Sequence, residues 1–181
     1  MLPDNLFYMS LILILISSTY SFFIKAKSRP PLDLIYHGLS PAIIFIMVSS
    51  FYIQFDFAIL FSMVIIFNIF LIIQLLQEIR DFDVDKKFIK TTVIVIGKRN
   101  SIKLSIVLLI SLLFIVLAGV IISIFPIKSL IYLPLSYFLF EPLYDSLNNK
   151  RREQLLLYYF RRRLIQLTII FFILFLVLNF I

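Results

Sequence analysis

Long runs of apolar residues constrain this chain more than any other feature. A membrane-spanning helix needs about 20 apolar residues, and six stretches are candidates: 5–24, 34–54, 57–77, 102–125, 127–143 and 164–181. The fifth is the least typical, because it is short and contains Lys128, Pro134 and Glu141. The chain is 62% hydrophobic and 15% charged, whereas soluble domains are about 45–50% apolar and about 25% charged. We therefore predict an all-α, polytopic membrane helix bundle of about six transmembrane helices, forming a single membrane domain over residues 1–181.

The basic residues are concentrated in alternate segments between the predicted helices. If the helices alternate in direction, 16 of the 17 lysine and arginine residues lie on one side of the membrane, and Lys128 lies on the other. Such residues mark the cytoplasmic side. We expect a protein of the cell membrane with its N-terminus outside and the acidic segment 78–87 in the cytoplasm. The net charge of +7 then indicates anionic lipid or a phosphorylated substrate, and we expect no nucleic-acid partner.

The segment EIRDFDVDKK, residues 78–87, is the most polar stretch of the chain. If the third predicted helix continues through it, a turn of about 100° per residue aligns Gln74, Glu78, Asp81 and Asp85 on one face, and Asp83 points elsewhere. Like charges stacked on one helix face repel each other. The pattern therefore favours a bound cation at the membrane surface.

Oxygen ligands at the end of a helix suit Mg²⁺, which proteins hold with one or two carboxylates and substrate phosphates. A calcium-binding EF-hand loop is excluded, because Lys86 and Thr92 occupy the positions that require glycine and an acid. The chain has few ligands for a transition metal, since it contains one histidine and no cysteine. The nearby Arg80, Lys86 and Lys87 suit phosphate oxygens. A charged surface loop with local salt bridges is an equally good interpretation of the spacing alone.

Two blocks of sequence resemble the UbiA superfamily of membrane prenyltransferases. RDFDVDKKFIKTTVIVIGKR, residues 80–99, is similar to the second aspartate-rich motif of that family, which is D-x-x-x-D followed by basic residues, Lys-Thr and a Gly-Lys-Arg-like end. Asp81 and Asp85 match the two motif aspartates. TYSFFIKAKSRPPLDLIYHG, residues 19–38, resembles the family's Tyr-Ser … Lys … Arg-Pro-x-Leu-Asp loop. The two blocks occur in the family's order.

The resemblance implies an intramembrane fold of nine helices, of which this chain would supply helices four to nine. It further implies that two aspartate-rich motifs bind Mg²⁺ and the diphosphate of a polyprenyl donor, whose prenyl group moves to an aromatic or lipid acceptor. Carried onto this chain, the catalytic metal ligands are Asp81 and Asp85, with Glu78 and Asp83 in support. The implied diphosphate contacts are Arg29, Lys86, Lys87 and Lys90.

The chain departs from the family pattern in one decisive respect. The other family motif, N-x-x-x-D-x-x-x-D, is absent from these 181 residues. The glycine that usually precedes Lys-Thr is absent too. We expect a prenyltransferase that is partial or split, with a second chain supplying the N-terminal helices. The alternative is a non-catalytic relative that binds an isoprenoid or a partner protein. A small transporter has little support, since the sequence shows no inverted repeat.

Further polar positions have simpler interpretations. Lys25, Lys27 and Arg29, in the first matched block, suit either diphosphate contact or membrane topology. Asp33 is expected to be an N-cap or an acid at the start of the second helix. His37 is expected to be a polar residue at the membrane boundary. Glu141 either faces a cavity or pairs with a basic neighbour.

Overall fold

The computed structural model describes residues 4–20, 25–50, 56–131, 133, 136–148 and 155–180. Within these residues the regular secondary structure is entirely helical, which confirms the predicted all-α class. The α-helices of the described residues are α1 (Asp4–Ser18), α2 (Leu32–Ser49), α3 (Phe57–Asp85), α4 (Thr92–Ile96), α5 (Lys98–Ile121), α6 (Tyr137–Asn148) and α7 (Leu156–Phe180). Two short 3-10 helices, Ala26–Ser28 and Ile127–Ile131, precede α2 and α6.

Three helices of the described residues, α2, α3 and α5, are long and apolar enough to cross a membrane. The apolar part of α1, Phe7–Ser18, is shorter. Large apolar side chains point outward from α5, including Val107, Phe114 and Ile121. Outward-facing apolar side chains are unfavourable in water and suit contact with lipid. The chain is therefore an integral membrane protein built from helices.

Helix α3 lies at the centre of the structure and packs against both α2 and α5. Its side chains Ile72, Leu75 and Leu76 are fully buried in the core. On the α2 side, a Cβ atom added to Gly38 would lie 2.8 Å from a ring carbon of Phe67. The two helices thus approach so closely that glycine is required there.

The predicted helix boundaries differ most from the observed ones at two places. The fifth predicted span, 127–143, is wrong as a single helix, because the 3-10 helix Ile127–Ile131 is followed by a separate α6 that begins at Tyr137. Ser136, directly before α6, stands in a turn, and its amide donates to the Leu133 carbonyl at 3.3 Å. The last helix begins at Leu156 rather than at 164.

The continuation of α3 through the acidic segment is confirmed, since the helix runs without interruption to Asp85. Its other end is capped by Asp56, whose carboxylate accepts a hydrogen bond from the Ile59 amide at 2.9 Å. The predicted pairing of Glu141 is also confirmed. Its carboxylate lies 2.9 Å from the Arg163 guanidinium, and this ion pair joins α6 to α7.

Candidate functional site

The polar end of α3 forms one wall of a cavity of about 310 Å³. Gln74, Glu78, Asp81 and Asp85 all line it. They are spaced by four, three and four residues, which the helical repeat places on one face. The carboxylate stripe predicted from the sequence therefore exists and faces a cavity. Asp83 lies off this face, as predicted, and its carboxylate is 3.2 Å from the Lys98 ammonium.

Residues between the end of α1 and the first turns of α2 line the same cavity. These residues are Tyr20, Lys27 and His37. The Tyr20 hydroxyl lies 2.9 Å from Nε2 of His37, within hydrogen-bond distance. Burial raises the pKa of the Tyr20 phenol, and the charges of Glu78 and Asp33 raise it further. The phenol therefore keeps its proton at neutral pH and offers the cavity a neutral, polar side chain.

Two buried carboxylates, Asp33 of α2 and Glu78 of α3, hold the N-terminus of α4. The Thr92 amide and hydroxyl each donate a hydrogen bond of 2.5 Å to Asp33. The Val93 amide donates to Glu78 at 3.2 Å, and the Gln74 side-chain amide donates to the other Glu78 oxygen at 3.0 Å. The first amides of a helix have no acceptor within it, so these carboxylates satisfy donors that would otherwise be unpaired.

The expected place of Asp33 at the start of α2 is confirmed: it is the acid of the first turn, and Pro31 is the N-cap residue. Its hydrogen bonds add a contact that the sequence did not indicate. Only 1% of Asp33 is exposed, and both of its oxygens accept hydrogen bonds from Thr92. Asp33 therefore joins α2 to α4. It also fixes Thr91, the residue before α4, at the cavity wall.

The other acids and bases predicted for the site are distributed as follows. Asp81 makes a two-point contact with the neighbouring Arg80, at 2.7 Å to Oδ1 and 2.6 Å to Oδ2. Asp85 lines the cavity one turn further along the helix. The four predicted diphosphate contacts are exposed on the surface; they are Arg29, Lys86, Lys87 and Lys90. The basic residue on the described cavity wall is Lys27.

Sequence reasoning did not assign Tyr20, His37 or Thr91 to the site. A signal was available for the first two, because both belong to the block 19–38 that resembles the family loop. Thr91 belongs to the Lys-Thr part of the second block. Their proximity depends on the packing of α2 against α3, which local spacing does not reveal.

The donor atoms permit a Mg²⁺ site that includes substrate oxygens. Within the described residues there is no group of three or more His, Cys, Asp or Glu side chains arranged to hold a metal. Glu78 is only 4% exposed, and its oxygens hold the Val93 and Gln74 donors. Asp81 and Asp85 also line the cavity and are more exposed. Each carboxylate oxygen has more than one lone pair, so the Arg80 contact leaves Asp81 with acceptor capacity. Two carboxylates completed by phosphate oxygens are a common arrangement for Mg²⁺.

The fold and the cavity together define a helical integral membrane protein with an acidic, polar pocket at the end of its central helix. Residues 1–165 match the family model described as the UbiA prenyltransferase family. The chain therefore belongs to the UbiA prenyltransferase family. Comparison with curated proteins and with solved structures finds no significant match.

Proposed function

We propose that the chain binds a polyprenyl diphosphate with its diphosphate in the α3 cavity and transfers the prenyl group to an aromatic or lipid acceptor. The observation that supports this most directly is the shared position of Asp81, Asp85 and Lys27. Three carboxylates, those of Glu78, Asp81 and Asp85, and the Lys27 ammonium line the same cavity of about 310 Å³. An all-acidic cavity would repel a diphosphate, whereas this combination suits a diphosphate that arrives with a divalent cation.

Each side chain then has a defined task. Asp81 and Asp85 would hold Mg²⁺, and Lys27 would contact phosphate oxygens directly. Bound Mg²⁺ would neutralise part of the negative charge that develops on the departing diphosphate. Tyr20 and His37 offer hydrogen-bonding groups in the same cavity as the carboxylates. The isoprenoid chain is apolar, and the lipid-facing surface of the helices is a suitable environment for it.

A second function, binding without catalysis, is favoured by the single aspartate-rich motif. The pattern N-x-x-x-D-x-x-x-D is absent from the sequence given. One pair of carboxylates holds a metal–diphosphate complex less firmly than two pairs from facing loops would. The chain would then bind an isoprenoid diphosphate and release no diphosphate by itself. A second chain that supplies the missing helices would restore turnover.

The test uses the full chain in lipid nanodiscs with geranylgeranyl diphosphate as the probe. Binding and diphosphate release are measured with Mg²⁺ and with EDTA. Loss of a partner that only supports a metal ligand weakens metal binding by about 10–100-fold. Asp85→Asn removes a proposed ligand itself and is therefore expected to weaken Mg²⁺-dependent binding by at least this factor. Asp83→Asn is the matched control, because Asp83 is two residues away and faces Lys98.

Three outcomes separate the alternatives. Release of diphosphate by the wild type, lost in Asp85→Asn and kept in Asp83→Asn, supports a catalytic site. Mg²⁺-dependent binding with no release supports the non-catalytic alternative. Equal binding by the wild type and Asp85→Asn rules out the metal role of the α3 carboxylates.

A further inference from the structure

A second groove, of about 640 Å³, lies between the polar end of α3 and the first turns of α7. Three arginines line it: Arg80 from α3, and Arg161 and Arg162 from α7. This groove is separate from the α3 cavity, because the two share no lining residue. Nothing in the proposed prenyl transfer uses it.

The other lining residues of this groove are largely apolar and exposed. Leu155 and Ile165 are 49% and 61% exposed, and the Tyr158 ring is exposed beside them. Arginines thus stand next to aliphatic and aromatic side chains that have no cover in the described structure. This combination of surfaces matches a ligand that has both an anionic head and a hydrocarbon tail.

The groove also lies at the right depth for such a ligand. Arg80 follows the apolar run 57–77, and Arg161 and Arg162 precede the apolar run that starts at 164. Basic residues that directly flank spanning segments sit at the level of lipid headgroups.

We propose that this groove binds the phosphate of an anionic phospholipid, with an acyl chain lying along Leu155 and Ile165. Arginine suits this task because its planar guanidinium recognises phosphate through paired hydrogen bonds. Charge complementarity favours an anionic lipid over a zwitterionic one, whose choline cation offsets the charge of its phosphate.

Arg80 connects the lipid to the central helix. Its Nε and one terminal nitrogen donate to Asp81. A guanidinium has five N–H donors, so further donors remain for a phosphate. Arg161 and Arg162 lie on a different helix, and a phosphate bound to all three would bridge α3 and α7. The neighbouring Arg163 is engaged elsewhere, with Glu141.

The experiment measures thermal unfolding of the full chain in nanodiscs of phosphatidylcholine alone and of phosphatidylcholine mixed with phosphatidylglycerol. The wild type is expected to unfold at a higher temperature in the anionic membrane. Arg161→Gln combined with Arg162→Gln should lose most of that rise, about 2–4 °C for each arginine removed. Arg99→Gln combined with Lys103→Gln removes the same charge from exposed positions on α5 and serves as the control.

Each alternative has its own signature. An equal loss in the control would show general attraction of a basic protein to an anionic surface and would overturn the proposal. A full rise in phosphatidylcholine nanodiscs after addition of glycerol phosphate would indicate a soluble anion instead, with the same consequence. Co-purification of phosphatidylglycerol with the wild type, reduced several-fold in the Arg161/Arg162 variant only, would support the lipid site.

Discussion

The contact between Asp33 and Thr92 makes a quantitative prediction about α4. Asp33→Ala would remove both acceptors and leave the Thr92 amide and hydroxyl buried without partners. A hydrogen bond to a charged group contributes about 1.5–3 kcal/mol, and the two bonds to Thr92 are lost. The Leu34 amide also donates to Asp33 at 3.0 Å, but it keeps its bond to the Pro31 carbonyl. Relief of the repulsion between Asp33 and Glu78 offsets part of this. We expect local opening of α4 to become easier by about 3 kcal/mol in Asp33→Ala.

Asp33→Asn should be much milder, which separates hydrogen bonding from packing. The asparagine carbonyl can accept from the Thr92 amide, while its NH₂ group donates to the Thr92 hydroxyl, since a hydroxyl also accepts. Asp33→Asn loses only the extra strength that the negative charge gives to these hydrogen bonds. After the reduced repulsion with Glu78, the net loss of stability is about 1 kcal/mol.

Hydrogen–deuterium exchange of the Thr92 and Val93 amides is the direct assay, because these amides are themselves donors to the two carboxylates. A tenfold change in the exchange rate corresponds to a change of about 1.4 kcal/mol in the free energy of local opening, when the helix recloses faster than the open amide exchanges. Asp33→Ala should therefore accelerate exchange at Thr92 by about 100-fold, and Asp33→Asn by about 5-fold. Glu78 still holds Val93, so the increase at Val93 should be smaller.

The control is Asp56→Ala, which removes a cap from the far end of α3. It should accelerate exchange at Ile59 and leave Thr92 unchanged. If Asp33→Ala left the Thr92 rate unchanged, Asp33 would not hold α4. If Asp33→Asn and Asp33→Ala gave the same rate, the negative charge rather than the paired hydrogen bonds would be responsible.

Two further substitutions test the surroundings of the cavity. Gly38→Ala places a methyl group 2.8 Å from the Phe67 ring and 3.1 Å from Leu71. Overpacking of this kind costs about 1–3 kcal/mol of stability, so the midpoint of thermal unfolding should fall. An unchanged midpoint would contradict the close approach of α2 and α3. Tyr20→Phe removes the hydrogen bond to His37 and should lower stability by about 0.5–1.5 kcal/mol. Since the pKa of Tyr20 is raised above its ordinary value, that loss should be the same at neutral and mildly alkaline pH; a loss that disappears in mild alkali would show that the phenol ionises there.

The part of the site that depends on one helix was predictable from the sequence. The positions of Gln74, Glu78, Asp81 and Asp85 on one face follow from the helical repeat alone, and so does the separation of Asp83. Both predictions required only that α3 continue into the polar segment, and no proline or glycine interrupts residues 57–85.

The part that depends on contacts between helices was not predictable. Asp33 and Thr92 are 59 residues apart in the sequence, and α4 has only five residues, too few to show a hydrophobic period. The contact of Glu78 with the Val93 amide was missed for the same reason. Its support of a metal ion stays a prediction.

The predicted spans show a similar division. Three of them, 34–54, 57–77 and 102–125, correspond to α2, α3 and α5, because a continuous apolar run is visible in the sequence. The fifth predicted span failed because mean apolarity does not show where a 3-10 helix ends and a separate α-helix begins. Lys27 could not be singled out from Lys25 and Arg29 as the residue at the cavity, since a charge in a loop is compatible with many positions.

The length of α3 has a consequence for how the site could change over evolution. Its 29 residues extend over roughly 43 Å at 1.5 Å per residue, while the hydrocarbon core is about 30 Å thick. The acidic stretch therefore extends beyond the lipid as part of the same rigid rod. A single insertion anywhere in the apolar part would swing every carboxylate by about 100°, away from Lys27 and the cavity. The apolar stretch of α3 thus sets the direction in which the acids point, and a change in its length would alter the cavity as surely as a change in their identity.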